Sequence, residues 1–553
     1  MNLWVQVRRM KISRSAQAVF LSSLAILTGA WASWLLMPQG AARLSLVTTV
    51  RLGSEVTLLC LLLGVAPLYA AYRQPKWPAL RRMLLFIAMG SLLIPTIARS
   101  LALSSLFAYY GPIATAARAI SVWPEGEPLD SSHLAVVISL LTLYLPFVLL
   151  VVSECMEALG RIPDIAATLG ANSIQTGVRV VVPRLLRPMA TAGLIVFSQV
   201  LGVIITPRIL DSREVTLAVL IDDLLKRTMD TAAAMRVGFA EVVLALPVAA
   251  VAAYFVEGEL RARGRPLMTA LRFRGGRILA LIPIGILLLV PTVLLALSLG
   301  STPILDPTAV FRNGPSVHWY RVALRSATFW SVSASSLCVW TTATLLSVLP
   351  AIFFSVLLLP FSQLRRIGRW IALLLLFIPQ NALGVLLFVA TSSFPQIQAS
   401  FPGWLFGGIG QAVPGFAFCF LLMDRVAEQQ ARSLRIAATL GASFIQRFMR
   451  IALPRFLPAI GISITATALI SLDDIIFVRY LPRIPVATFA TQLFDQARYG
   501  ASPDIAAFCI LIAAVVGLLL SGGMLLESIP RLRRALVGRF LGHANAGASQ
   551  LTH

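Results

Sequence analysis

One stretch occurs twice: Asp164-Ile-Ala-Ala-Thr-Leu-Gly-Ala-Asn-Ser-Ile-Gln175, followed by Arg179, Pro183 and Arg184, and Arg435-Ile-Ala-Ala-Thr-Leu-Gly-Ala-Ser-Phe-Ile-Gln446, followed by Arg450, Pro454 and Arg455. Gly170 pairs with Gly441, Gln175 with Gln446 and Pro183 with Pro454, at one constant offset of 271 positions. A fixed offset marks two copies of one unit. Ile165 to Ala171 and Ile436 to Ala442 are identical residue for residue. The local physics predicts helix, turn, helix. Pro163 suits a first helical turn, where a missing N–H costs little. Ile165, Ala166 and Leu169 share one helical face. Gly170 allows a sharp turn, and Pro183 is expected to end the second helix.

Around these loops the chain is apolar. Of 553 residues 58% are hydrophobic and only 12% charged, which excludes an ordinary soluble domain and predicts a polytopic membrane protein. The formal charge of +23 is spread in short clusters between apolar runs, the pattern of cytoplasmic loops on an anionic membrane rather than of a nucleic-acid binder. A span needs about 20 apolar residues, and by that measure the chain offers about 12. Six lie near 17–37, 54–72, 83–103, 133–153, 189–208 and 237–257. Six more lie near 277–299, 328–358, 370–391, 403–423, 458–478 and 505–527. The expected fold is all-α, with two parallel six-helix repeats.

With the N-terminus placed inside, roughly two thirds of all Lys and Arg fall in cytoplasmic segments, as the positive-inside rule asks. Both repeated loops then face the cytoplasm, and both termini are cytoplasmic. Arg8, Arg9, Lys11 and Arg14 precede an apolar run without a cleavage site, which reads as an uncleaved first span. The expected organisation is a first half over 1–257 with its loop at 154–188, a basic linker over 258–276, a second half over 277–530 with its loop at 424–458, and a tail over 531–553. Residues 104–132, with Tyr109, Tyr110 and Trp123, read either as an interfacial anchor or as a resting place for a partner.

The repeated stretch resembles the EAA loop of permease subunits of bacterial ABC importers. In that family the loop is a short cytoplasmic helix, a break at the Gly and a second helix, and it docks on an ATPase subunit. Carried onto this chain, the coupling residues are Asp164, Ala166, Ala167, Gly170 and Pro183 in the first loop, and Arg435, Ala437, Ala438, Gly441 and Pro454 in the second. The family's Glu is replaced by Asp164, which keeps the charge, and by Arg435, which reverses it. The resemblance therefore implies unequal docking of the two halves.

No Gly-rich phosphate loop ending in Gly-Lys-Ser/Thr is present, so ATP hydrolysis is expected on a separate polypeptide. No catalytic residues, cofactor or metal site are expected. The four His and five Cys (Cys60, Cys155, Cys338, Cys419 and Cys509) show no ligand spacing. The distinctive polar feature is Ser471-Leu472-Asp473-Asp474, placed towards the outer end of the eleventh span. Acids at membrane depth suggest a substrate or ion pathway. The alternative is a salt bridge to Arg479 or Arg483. Ser471, Asp473, Asp474 and Gly202, the repeat partner of Asp473, are the candidate translocation-path residues.

Ser471 to Ile476, Pro485, Ala487, Thr488, Gln492, Leu493, Arg498, Pro503 and Asp504 resemble the end of the second permease of spermidine/putrescine importers. Gly193, Phe197, Gly202, Thr206, Pro207, Leu210, Leu220, Ile221 and Gly238 resemble the matching stretch of the first. The resemblance implies a fusion of two permeases in a bacterial inner membrane, with two copies of an ABC ATPase, an extracytoplasmic substrate-binding protein and the lipid bilayer as partners, and no nucleic acid. The implied cargo is a polyamine or related small cation. Ferric iron, thiamine and an aminophosphonate are alternatives, since fused permeases also serve such importers. An ion-coupled secondary transporter using Asp473 or Asp474 is a third reading.

Overall fold

The structure is a computed structural model, and it describes residues 14–37, 40–72, 78–124, 129–159, 162–210, 213–260, 276–499 and 502–528. The basic cluster Arg8, Arg9 and Lys11, nearly all of the 258–276 linker and the 531–553 tail lie outside the described residues. Helices dominate, and no strand occurs among the described residues. The principal ones are α1 (Arg14–Leu36), α2 (Ala41–Tyr72), α3 (Pro78–Leu92), α4 (Thr96–Phe107), α5 (His133–Ala158), α6 (Ile162–Thr168), α7 (Val182–Leu201) and α8 (Thr231–Leu260). They continue with α9 (Gly276–Leu299), α10 (Ala327–Leu357), α11 (Ser362–Phe377), α12 (Gln380–Ser392), α13 (Gly403–Thr439), α14 (Leu453–Asp473) and α15 (Asp504–Ser528).

Among the described residues nine helices are long and apolar enough to cross a membrane, or up to 11 if each of two bent pairs is one span. The sequence counts twelve. The difference has local causes. The expected spans 83–103 and 370–391 are each broken, α3 from α4 and α11 from α12, by a bend of 101°. Both breaks carry Ile-Pro, at Ile94-Pro95 and Ile378-Pro379. Proline lacks the N–H and pushes the preceding residue out of helical geometry. The last expected span falls on α15, of which Asp504–Leu518 is the described apolar stretch. Pro350, by contrast, lies inside the unbroken α10.

The chain forms two compact units. The first comprises residues 1–326, 377–390 and 492–510. Within it α2 packs on α5, α7 and α9, α9 also packs on α3, and α8 packs on α1 and α7. The first helix of the second repeat thus lies against helices of the first repeat. The second unit comprises residues 327–376, 391–491 and 511–553. There α10 packs on α13 and α14, around a core that includes Ala351, Ala417, Phe420, Met423 and Phe456.

Small residues set the α10–α13 approach. A Cβ added at Gly408 would lie 2.6 Å from Thr342 Cβ, and one at Gly415 would lie 2.4 Å from Ser347 Oγ. In lipid, where tails are as apolar as leucine, close backbone approach of this kind is what holds helices together. Outward faces are apolar and exposed, as at Leu27 and Trp31 on α1 and Leu349 and Phe353 on α10. Such faces suit contact with hydrocarbon.

Candidate functional site

Both repeated loops are built by the same devices. α6 ends where Gly170 takes φ +90°, and α13 ends where Gly441 takes φ +83°. The amide of Gly170 donates to Ala167 O at 3.0 Å and that of Ala171 to Ala166 O at 3.1 Å. In the second loop Gly441 N donates to Ala438 O at 3.1 Å and Ala442 N to Ala437 O at 3.0 Å. This is a Schellman motif, closed by the main-chain carbonyls of the two alanines, and it explains the glycine, which enters the left-handed region without strain.

The next helix begins in a reciprocal capping box. Gln175 N donates to Asn172 Oδ1 at 2.7 Å while Asn172 N donates to Gln175 Oε1 at 3.1 Å. Ser443 and Gln446 repeat it, with Ser443 N to Gln446 Oε1 at 3.0 Å and Gln446 N to Ser443 Oγ at 3.3 Å. The spacing Asn/Ser-x-x-Gln is a readable helix-start signature that our sequence reading used only as a repeat marker.

The prolines act differently from the expectation. Pro183 and Pro454 do not end the second helix. A turn of π-helix, Gly177–Val181 or Phe448–Ala452, leads straight into α7 or α14, and the proline sits in the first turn beyond it. Val182 N bonds to Gly177 O and Leu453 N to Phe448 O, five residues back in each case. The wider turn takes up the clash and the missing N–H that a proline brings to a regular helix.

Apolar side chains lie exposed on both loops: Ile165 and Leu169 at 57% and 83%, Ile436 and Leu440 at 51% and 81%. The entries into the loops differ. α5 stops at Ala158 and α6 starts at Ile162, whereas α13 runs unbroken through Arg435 to Thr439. Pro163 in the first loop corresponds to Leu434 in the second, and the proline accounts for the break. Asp164 lies on α6, with its side chain outside the described residues. Arg435 is exposed and its Nε donates to Ala431 O at 3.2 Å.

The acid pair does not sit on one helix as expected. α14 ends at Asp473, and Asp474 follows in extended geometry. Buried Asp474 accepts from Ile476 N at 2.8 Å and Phe477 N at 3.1 Å through Oδ1, and from Gln411 Nε2 at 2.8 Å through Oδ2. It caps the short helix Phe477–Tyr480. Asp473 and Ser471 are half-buried on the last turn of α14. All three belong to the second unit, and Gly202 to the first. Gly202 ends α7 and lies against α12, where a Cβ would be 2.9 Å from Asn381 Oδ1.

Three buried polar groups escaped our sequence reading. Arg99 has no exposed surface; its guanidinium donates to Ile94 O, to Ser91 O and Oγ, and to Thr142 O. It thereby satisfies the Ser91 and Ile94 carbonyls at the α3–α4 break and the Thr142 carbonyl of α5, whose helical partner Pro146 has no N–H. Asn381 Nδ2 donates to Glu241 Oε2 at 2.6 Å, both residues fully buried. Arg365 Nε donates to Asp424 Oδ1 at 2.5 Å, and its Nη2 meets Glu428 at 2.8 Å, tying α11 to α13. For Arg99 and Glu241 a lone charge inside an apolar run was the available signal, whereas Arg365 stands in a basic cluster with Arg366 and Arg369.

Taken together, the described helices define a polytopic all-α membrane protein with two loops of one design. No protein-family model matches the chain. The chain is 26% identical over 218 residues to the putrescine transport system permease protein PotI of Escherichia coli strain K12, covering 37% of this chain and 75% of that protein. PotI of E. coli O6:H1 matches with the same figures. Over that stretch the chain is similar to a putrescine transport permease.

Proposed function

We propose that this chain is the membrane-spanning permease of an ATP-driven importer for putrescine, spermidine or a related small cation. The observation that carries the reading is the duplicated loop. Both copies combine a Schellman glycine, a capping box and a π-turn, and both leave an isoleucine and a leucine exposed. A rigid helical knob with an apolar tip suits docking into a groove of a partner. Two ATPase subunits would take one loop each, and an extracytoplasmic binding protein would deliver cargo. Closure of the ATPases would move Gly170 and Gly441 and switch the spans between inward-open and outward-open states.

The halves 1–257 and 277–530, joined at 258–276, and the cytoplasmic placement of both termini complete the proposal. Asp473, Asp474, Ser471 and Gly202 remain candidate path residues. For Asp474, the hydrogen bonds to Gln411 and the backbone favour a role in shaping the chain at the end of α14.

The test is uptake of labelled putrescine and spermidine in cells with and without the chain, with labelled ferric iron in parallel. Loss of polyamine uptake alone supports the reading. Loss of iron uptake alone keeps the importer and overturns the cargo. Full transport by the purified chain in ATP-free liposomes would overturn the ATP-driven mechanism in favour of ion coupling.

A further inference from the structure

Glu241 sits within the candidate span Thr231–Val256 and has no exposed surface. A carboxylate at such a place is expensive unless a counter-charge and donors meet it. Among the described residues its one recorded partner is the neutral amide of Asn381, which donates to Oε2 at 2.6 Å. The other carboxylate oxygen, Oε1, has no donor, and neither has Asn381 Oδ1. Two fully buried residues therefore each present an unsatisfied acceptor.

The backbone around them is shaped for close approach. Asn381 stands on the first turn of α12, just past the Pro379 break. α12 lies against Gly202 at the end of α7, and against Gly238 of α8, where a Cβ would be 3.7 Å from Val385 Cβ. Ser198 Oγ donates to Phe377 O, a carbonyl left open by the same break. Residues of both sequence repeats thus meet here, beside a helix break able to act as a hinge.

Among the described residues, neither open acceptor meets an N–H donor or a positive charge. A primary ammonium group supplies both, with one charge and three donors. We propose that Glu241 and Asn381 form a station for a primary ammonium group of the cargo, reached when the bend at Pro379 opens. The proposal rests on the permease reading above and assigns its cation recognition to residues other than the Asp473–Asp474 pair.

Carbodiimide labelling tests it on the native chain. The purified full-length protein is treated with N,N′-dicyclohexylcarbodiimide, and the adduct on Glu241 is followed by mass spectrometry. Putrescine and n-butylamine should slow labelling of Glu241 about tenfold, the weight of one hydrogen bond to a charged group, while butane-1,4-diol should not. Equal labelling with amine and diol overturns the proposal, as does a Glu241 that never labels.

Glu241→Gln is the second arm. Glutamine keeps the volume and an acceptor for Asn381 Nδ2 but loses the charge. Putrescine uptake should fall about tenfold or more at an unchanged membrane level. Wild-type uptake would show that Glu241 serves packing alone. Should deletion of the whole chain leave putrescine uptake intact, the importer reading fails, while amine protection in the purified protein still reports on the station.

Discussion

Gly170 and Gly441 hold φ values that other residues enter only at a cost of about 1–2 kcal/mol. Gly441→Ala should therefore loosen the second loop and lower uptake, and Gly441→Pro should abolish uptake while expression persists. Uptake assays with matched immunoblots check both, and normal transport by the Gly170→Pro/Gly441→Pro double variant would sink the docking role. Arg99 offers a different test. Arg99→Met leaves the carbonyls of Ser91, Ile94 and Thr142 without this donor, each buried loss costing about 1–3 kcal/mol. The detergent-solubilised variant should melt at a clearly lower temperature. The glycine was legible in the sequence because its requirement is local. Arg99 was not, because its partners Ser91 and Thr142 lie on α3 and α5, and only packing brings them to α4.

At the scale of helices, α11 and α13 are tied by Arg365, Asp424 and Glu428. Because α13 continues unbroken into the second repeated loop, this tie links that loop to the helix leading into the Pro379 bend. Asp424 is 1% exposed and Arg365 is its nearer counter-charge, with Arg369 Nε 3.7 Å from its other oxygen, so Arg365→Met leaves a buried charge with the longer contact alone and costs up to about 3–5 kcal/mol, the scale of a pair broken on one side. The Arg365→Met/Asp424→Leu double variant should recover much of the lost thermal stability. A double variant no better than the single one would show that the pair is not the clamp. The α10–α13 crossing depends on steric room instead. Gly408→Leu drives a side chain into Thr342 and the backbone at Val339, and should reduce the yield of folded protein on size exclusion.

For the molecule as a whole, α9 is the decisive helix. It follows the linker in sequence yet packs on α2 and α3 of the first repeat. Residues 1–260 and 276–553, expressed as separate chains, should therefore stay associated in mild detergent. Independent migration of the two pieces would contradict that packing. The first compact unit consequently draws residues from both repeats, whereas the second draws none from the first repeat. Repeat boundaries follow ancestry and chain order, whereas compact units follow contacts.

The sequence by itself determined the all-α membrane class, the duplicated loops, their glycine turns and the permease resemblance, because each rests on composition, short-range backbone chemistry or an offset visible along the chain. Tertiary structure alone decided the rest. It carried α14 only as far as Asp473 and made Asp474 a cap, since Gln411 reaches it from another helix. It turned Pro183 and Pro454 from expected helix ends into the start of long helices behind a π-turn. It paired Glu241 with Asn381 across 140 residues of chain. Such pairings depend on which helix faces meet, and hydrophobic periodicity places a face without naming its partner.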